Sequence, residues 1–161
     1  MQKTVTIVPA EQKHLTAAGD IAVVAWDAIH DAYIERLGKE MHDDILDGWQ
    51  ERKRKSVESS LIAGRGYVAL VDDVVAGFIS YRVNPDNKTG EIMENAVSPE
   101  FRGMGIGTKM YEFVLDKMRN EGMVYASVST GLDDGHAPAR RSYEKAGFSK
   151  NLPSIKYFME L

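Results

Sequence analysis

The spacing of apolar residues changes along this chain, and each spacing predicts a different element. Residues 4–8 alternate between polar and apolar and predict a short strand. From 21 to 37 apolar residues recur three and four positions apart, which predicts a helix with Asp20 as its N-cap and Gly38 as its stop. A second helix is predicted from about residue 43 to about residue 63.

The middle and the end of the chain show strand spacing interrupted by helical stretches. Strands are predicted at 67–71 and 74–83, joined by a tight turn at Asp72-Asp73, and at 89–97. Further on we predict a helix that ends near residue 121, a strand at 123–130, a helix at 137–145 and a strand at 155–160. The order β-α-α-β-β-β-α-β-α-β predicts one α/β domain over residues 1–161, with a mixed central sheet of about six to seven strands and helices on both faces.

A glycine-rich stretch lies between the predicted strand 89–97 and the helix that follows it. Residues 97–108 read VSPEFRGMGIGT, with glycine at 103, 105 and 107 behind Arg102. The first amides of a helix have no partner within it and lie at the positive end of its dipole. A glycine-rich turn that enters a helix is therefore suited to binding an anion, typically phosphate.

The spacing of these glycines excludes two common phosphate-binding motifs. A dinucleotide fingerprint, G-x-G-x-x-G, would need glycine where Thr108 or Met110 stands. A P-loop would need lysine before the hydroxyl residue, but here Lys109 follows Thr108. What remains is the pattern Arg102-x-x-Gly105-x-Gly107 at the end of a strand.

This pattern resembles the pyrophosphate-binding loop of the GCN5-related N-acetyltransferases, and a second motif supports the resemblance. The family usually carries Asn, then Ala three residues on, then Tyr-Glu-x-x-Gly-Phe. This chain matches that motif at Ala139, Tyr143, Glu144, Gly147 and Phe148. His136 stands where Asn is usual, and a histidine ring can donate or accept a hydrogen bond there, depending on its tautomer.

The resemblance implies that the chain binds acetyl-CoA and releases CoA. It also implies that the strand 89–97 splays from the next strand, so that the pantetheine arm lies between them, and that a backbone N–H at Val97 or its neighbour polarises the thioester carbonyl. The cofactor-binding residues that it implies are Ala96, Val97, Ser98, Arg102, Gly103, Met104, Gly105, Ile106, Gly107, Thr108, His136, Ala139 and Tyr143.

Three residues are candidates for proton transfer. Tyr143 stands where the family carries a tyrosine that can protonate the departing thiolate, and a phenol with a pKa near ~10 retains its proton at neutral pH. Glu91 matches the position of a catalytic glutamate in some relatives, and Glu94 lies on the same predicted strand. In a regular strand the two carboxylates point to opposite faces, so only one can face the substrate unless a bulge resets the alternation. Proton transfer through water, with no single base, is the third alternative.

Composition argues against several other classes of function and location. The net charge of −4 argues against a nucleic-acid-binding domain built on the basic run at 51–55. There is no cysteine, and the four histidines lack metal-ligand spacing, so we expect no metal site. No stretch approaches the ~20 apolar residues of a membrane span, and no signal-like segment opens the sequence. We therefore expect a cytoplasmic protein without a membrane or nucleic-acid partner.

The sequence thus predicts an N-acetyltransferase that moves an acetyl group directly from acetyl-CoA to a primary amine. The acceptor is a small-molecule amine, a peptide N-terminus or a lysine, and the sequence does not choose among them. The alternative is a non-catalytic module that binds and senses acyl-CoA, which would keep the loop but would not need Tyr143. A homodimer is also expected, with the strand at 155–160 as an interface edge.

Overall fold

A computed structural model describes residues 4–161, and its centre is a five-stranded sheet in the order β1-β2-β3-β4-β5. All neighbouring strands are antiparallel except β4 and β5, which are parallel. The strands are β1 (Val5–Pro9), β2 (Gly66–Val71), β3 (Val74–Asn84), β4 (Thr89–Val97) and β5 (Tyr125–Val128). The helices are α1 (Gln12–Leu37), α2 (Lys39–Leu46), α3 (Trp49–Ile62), α4 (Ile106–Asn120) and α5 (Ala137–Lys145), with short 3-10 turns at Pro99–Phe101 and Asp134–His136.

The predicted hairpin turn between β2 and β3 is present. Asp72 and Asp73 have φ angles of 49° and 64°, and Val71 pairs directly with Val74 across the turn. Two central residues with positive φ give a turn whose twist matches that of the strands, and aspartate tolerates this conformation better than most residues.

Helices cover both faces of the sheet, as the sequence predicts. Along β3, Phe78 packs with α1 and α3, whereas Ile79 packs with α4 on the opposite face. This alternation follows from the two-residue period of a strand. Both side chains are fully buried, so the sheet separates two apolar clusters and fixes α4 on the face opposite α1 and α3.

The helical region before the sheet differs from the prediction in two ways. α1 begins at Gln12 rather than after Asp20, because the side chains of Glu11 and His14 form a capping box around its first turn. The second predicted helix is two helices, α2 and α3, and Gly48 separates them with a left-handed φ of 66°. A glycine in this conformation interrupts the helical hydrogen bonds, although the apolar spacing continues across it.

The prediction of six to seven strands was wrong by at least one, because residues 155–160 form no strand. The whole segment 149–161 lacks regular structure, and Ile155 and Tyr157 are 74% and 83% exposed. β5 is also short, covering only Tyr125–Val128 of the predicted 123–130. Alternating apolar residues favour a strand, but a strand forms only where a neighbour completes its hydrogen bonds, and among residues 4–161 β5 pairs with β4 alone.

Within residues 4–161 no helix combines the length and the apolar character that a membrane span requires.

Candidate active site

The site begins where β4 and β5 part. Their pairing ends at Ile92 with Val128, but β4 continues to Val97. Val97 lies opposite Gly77 of β3. The next pair, Ser98 with Ala76, is hydrogen-bonded, because the Ser98 N–H donates to the Ala76 carbonyl at 2.8 Å. Because bonded and non-bonded pairs alternate in an antiparallel ladder, the N–H and C=O of Val97 point away from β3, into the opening.

The glycine-rich loop joins this opening to the N-terminus of α4. Gly103 and Gly105 have φ angles of 80° and 71°, and Gly105 is the N-cap of the helix. Residues with side chains rarely adopt this conformation, so the loop needs glycine at both positions. Ile106 is buried and anchors the first turn of α4. Arg102 is exposed and has no ion pair with any residue of the range 4–161.

Several of the expected cofactor residues lie around one apolar cluster beside the loop. Val97, Met104 and Ala139 are half-buried and pack against the buried residues that include Ile106 and Tyr143. Ala96 pairs with Phe78 in the sheet, and Gly107 lies in the first turn of α4 next to the Val97 side chain. His136 is placed differently, because its ring faces α1 at a centroid distance of 6.3 Å from that of Tyr33.

Tyr143 is buried and is held by a side chain of β4. Nδ2 of Asn95 donates to the phenolic oxygen of Tyr143 at 3.0 Å, and the hydroxyl of Tyr111 donates to Oδ1 of Asn95 at 3.0 Å. Burial raises the pKa of Tyr143, and the charge of Glu94 adds to this effect, whereas the hydrogen bonds of Asn95 and Tyr111 lower the pKa. The net shift is upward, so the phenol remains protonated at neutral pH.

The two candidate carboxylates lie on the same face of the sheet, because β4 has a bulge. Ile79 pairs with Asn95 and Tyr81 pairs with Ile92, so β4 has one residue more than β3 in this interval. The extra residue resets the alternation, and Glu91 and Glu94 both point to the side of α1 and α3.

Both carboxylates already contact cations. Glu91 pairs with Arg82 at 2.5 Å, at the far end of β4 from the opening. Glu94 pairs with Lys53 at 3.2 Å and accepts a hydrogen bond of 2.8 Å from the Ser56 hydroxyl. Glu94 is the nearer of the two to Tyr143 in electrostatic terms, since its charge affects the pKa of that phenol.

Aromatic and histidine side chains fill the space between α1, α2 and α3. Nζ of Lys53 lies 4.1 Å from the ring centroid of Trp26. His30 stacks on Trp49 at a centroid distance of 3.8 Å, and its Nδ1 lies 3.0 Å from Nε2 of His42. Burial and the charge of His42 lower the pKa of His30 to about 4, so His30 is neutral at pH 7.

Sequence reasoning missed Asn95, Tyr111 and Asp133. Asn95 lies two residues before Val97 on the same strand, and Tyr111 lies one turn after Gly107 on α4. Asp133 accepts hydrogen bonds from the backbone and ring of His136, three residues later. An Asp followed by His at this interval is a local signal for such a turn, but the spacing of Asn95 from Tyr143 carries none.

No group of three or more His, Cys, Asp or Glu side chains that could hold a metal ion occurs within residues 4–161.

Solved structures with the same fold include acetyltransferases bound to coenzyme A. The aminoglycoside acetyltransferase AAC(6')-Iy, in complex with the bisubstrate analogue CoA-S-monomethyl-acetylneamine, aligns with a TM-score of 0.63 and 17% identity over 98% of this chain and 99% of its own. The PaiA N-acetyltransferase from Thermoplasma acidophilum, in complex with coenzyme A, aligns with a TM-score of 0.68 and 17% identity over 91% of this chain and 90% of its own. At these identities the likeness establishes the fold.

Sequence comparison gives a narrower match. N-alpha-acetyltransferase 30 of Schizosaccharomyces pombe (strain 972 / ATCC 24843) is 30% identical over 96 residues, which are 58% of this chain and 63% of the yeast protein. The match therefore covers less than two thirds of that relative. The model of the acetyltransferase (GNAT) family matches residues 25–148, from within α1 to the residue that follows Gly147. The chain belongs to this acetyltransferase family.

Proposed function

We propose that this protein transfers an acetyl group from acetyl-CoA to a primary amine by direct attack of the amine on the thioester. One observation carries the proposal. The free edge of β4 leads directly into a glycine-rich helix N-terminus, and a protonated, buried tyrosine lies beside the same edge. A module that only senses acyl-CoA would need the first of these features but not the tyrosine.

The loop is suited to binding the pyrophosphate of acetyl-CoA, and the open edge of β4 is suited to binding its pantetheine arm. The N–H groups of residues 103–107 lie at the positive end of α4, where a pyrophosphate is stabilised, and Arg102 is free to add a charge-assisted contact. The N–H and C=O of Val97 are available to an extended pantetheine arm, as they would be to a neighbouring strand. Acetyl-CoA supplies the activated acetyl group.

The backbone and Tyr143 provide two of the chemical requirements. The N–H of Val97 points into the opening and would stabilise negative charge on the thioester oxygen. Tyr143 accepts a hydrogen bond from Asn95 at 3.0 Å, whereas its own contact with Oδ1 of Asn95 is 3.5 Å long. The phenolic proton is therefore weakly engaged, and we assign to it the protonation of the departing thiolate.

The ammonium group of the acceptor must lose a proton before it can attack. Glu91 and Glu94 are the candidate carboxylates on β4. Of the two, Glu94 is the better placed because its charge is felt at Tyr143, but it already forms an ion pair with Lys53. Relay of the proton through water remains the third route in this proposal.

The acceptor class is proposed from the relatives. The yeast relative is named as an N-alpha-acetyltransferase, and the ligand of AAC(6')-Iy is an analogue of an acetylated aminoglycoside amine. We propose an acceptor that is a small-molecule amine, a peptide N-terminus or a lysine side chain. We further propose that the protein works in the cytoplasm as one acetyltransferase domain and forms a homodimer.

A thiol-release screen tests this function. The full chain is incubated with acetyl-CoA and a panel of aminoglycosides, polyamines, amino acids and short peptides with free N-termini, and CoA release is followed with a thiol reagent. We expect amine-dependent release with at least one class, and an increase in melting temperature when acetyl-CoA is added. An increase in melting temperature without release from any amine would support the sensing module instead.

A further inference from the structure

Asp133 and His136 form a hydrogen-bonded pair at the start of α5, the Asp133–His136 dyad. Oδ2 of Asp133 lies 2.6 Å from Nδ1 of His136, and Oδ1 accepts the backbone N–H of the same histidine at 3.2 Å. Burial raises the pKa of Asp133, but the hydrogen bonds and charge of His136 outweigh it, so the pKa is lowered and Asp133 is ionised. An ionised carboxylate only accepts hydrogen bonds, so Nδ1 of His136 is the donor in this pair and Nε2 is the ring nitrogen left to accept a proton.

The surrounding chain leaves room for this dyad and holds it. A Cβ at Gly131 would overlap Nδ1 of His136 and Oδ2 of Asp133, so only glycine permits the pair at this position. Nη1 of Arg140 donates to the carbonyls of Gly131 and Asp133 at 2.6 and 2.7 Å. One side chain of α5 thus fixes both ends of the turn that carries the dyad.

The turn is also packed closely on α1. A Cβ at Gly135 would lie 2.8 Å from the carbonyl oxygen of Ala28 and from the Cα of Ile29. This close approach brings the ring of His136 to a centroid distance of 6.3 Å from that of Tyr33. The dyad therefore faces α1, and α1 also contacts β4.

Nε2 of His136 is not completely buried, and the side chain is 15% exposed. Nε2 has no hydrogen-bond partner among residues 4–161, and every buried side-chain nitrogen and oxygen in that range has one. His136 is the N-cap of α5 and Tyr143 lies seven residues later, close to two full turns. From that position Tyr143 reaches Asn95 of β4.

We propose that His136, oriented by Asp133, accepts the proton that the acceptor amine loses. This inference rests on the proposed acetyltransferase function and gives a further residue to the same site. It assigns the role of general base to a ring nitrogen without a hydrogen-bond partner within residues 4–161. Glu94, by contrast, already forms an ion pair with Lys53 and accepts a hydrogen bond from Ser56. Such Asp–His pairs activate nucleophiles elsewhere because the carboxylate fixes the ring and stabilises the imidazolium that forms.

The charges around the ring favour this role. The ionisable side chains against the His136 ring are Asp133 in its own turn and Tyr33 of α1, and Arg140 of α5 contacts the backbone of the same turn. Tyr33 stays neutral, because burial and the charge of Asp133 raise its pKa. The guanidinium of Arg140 is directed to backbone carbonyls, so the charge closest to the ring is the carboxylate of Asp133.

The protons balance in the following steps. Nε2 of His136 takes one proton from the ammonium group, and the neutral amine attacks the thioester carbonyl carbon. The C–N bond forms, the C–S bond breaks, and the thiolate takes the phenolic proton of Tyr143. The new amide nitrogen gives up its extra proton, which returns to Tyr143, and His136 releases its own proton to solvent. The sum is an amide, CoA and one proton.

The test compares three variants with the wild type. His136→Asn introduces the residue that the resembled motif usually has, which can form hydrogen bonds but cannot accept a proton. Asp133→Asn removes the charge that orients the ring, and Asp134→Asn is the matched control, since Asp134 is exposed in the same turn. We expect kcat/KM at pH 7 to fall about 100-fold or more in His136→Asn, less in Asp133→Asn and less than twofold in the control. CoA affinity, measured by calorimetry, should change less than threefold in all of them.

The pH profile and the ring tautomer separate this role from a structural one. The pH–rate profile of the wild type should have an acid limb, and His136→Asn should lack it. NMR of ¹⁵N-labelled protein should show the proton on Nδ1, and Asp133→Asn should shift the tautomer ratio. If His136→Asn retains the wild-type profile, or if Glu94→Gln removes the acid limb instead, the role of His136 is overturned. Absence of turnover by the wild type with every amine would instead refute the acetyltransferase function and this role with it.

Discussion

Asn95 donates a hydrogen bond of 3.0 Å to the phenolic oxygen of Tyr143, and its amide oxygen accepts one of 3.0 Å from Tyr111. These two bonds fix which end of the amide faces which tyrosine. The phenolic oxygen of Tyr143 is an acceptor in this arrangement, and its own proton has only the 3.5 Å contact with Oδ1 of Asn95, which leaves it weakly engaged. A strand residue, a residue of α4 and a residue of α5 are thereby joined beside the open edge of β4.

Removing the phenol of Tyr143 should affect chemistry more than binding. In Tyr143→Phe the ring still packs near Phe148, but no proton is available for the thiolate. We expect kcat to fall about 100-fold, with CoA affinity within a factor of about three, because general acid catalysis typically contributes factors of this size or more. Stopped-flow thiol release and calorimetry measure the two quantities. Tyr125→Phe, at an exposed tyrosine of β5, is the control, and a kcat unchanged by Tyr143→Phe would remove this residue from the mechanism.

Replacing Asn95 should reduce both stability and turnover. Asn95→Ala leaves the buried hydroxyls of Tyr111 and Tyr143 without their shared partner. Loss of these bonds should lower the free energy of unfolding by about 1–3 kcal/mol, the usual effect of unpaired buried polar groups. Urea denaturation measures this change. Asn95→Asp should instead engage the proton of Tyr143, so we expect it to lower kcat at pH 7 at least as strongly as the alanine variant. A fully active Asn95→Asp enzyme would contradict the assigned direction of these hydrogen bonds.

The glycine at the N-cap of α4 can be tested against a matched glycine at the other end of the same helix. Gly105 and Gly122 both have positive φ angles, 71° and 84°, and a Cβ at either position would meet nothing within 4 Å. Alanine at each should therefore cost about 1–2 kcal/mol of stability through backbone strain alone. Only Gly105→Ala should also weaken CoA binding, because only it disturbs the amides of the loop. Equal CoA affinity in the two variants would argue against the loop as the pyrophosphate site.

The buried histidine pair should make stability depend on pH. Burial and His42 lower the pKa of His30 to about 4, whereas an imidazole in the unfolded chain titrates near ~6.5. Between these values the unfolded state binds a proton that the folded state does not, so stability should fall as pH decreases from about 6.5 to about 4. His30 should contribute about 2 kcal/mol to this change in the free energy of unfolding, a figure reduced to allow for solvent screening.

A ring replacement isolates this contribution. His30→Phe keeps a ring on Trp49 but cannot titrate. Urea denaturation at pH 7 and pH 4.5 should give a smaller difference in unfolding free energy for this variant than for the wild type. The control variant is His14→Phe. His14 is also buried, but its ring accepts the Glu11 N–H at the start of α1. An equal pH dependence in His30→Phe and the wild type would show that the His30–His42 contact does not titrate in this range.

Local sequence was sufficient for much of the fold. Two aspartates with positive φ close the β2–β3 hairpin where the sequence predicts it, and α5 has its predicted bounds. Helix breaks and capping were harder to predict. The apolar spacing continues through Gly48, and the capping contact of Glu11 with His14 precedes the region in which that spacing predicts a helix. The terminal strand was predicted wrongly because alternation describes a face of a strand but not its neighbour.

The sequence by itself determined the glycine-rich loop, its place between a strand and a helix, and the position of Tyr143, because these depend on residues that are close along the chain. Only the tertiary structure decided which groups meet there. The bulge that places Glu91 and Glu94 on one face arises from pairing with β3, and the contact of Asn95 with Tyr143 joins residues 48 positions apart. The direction in which His136 faces depends on the packing of Gly135 against α1. Such contacts are set by the packing of elements distant in sequence, and no local pattern of residue types encodes them.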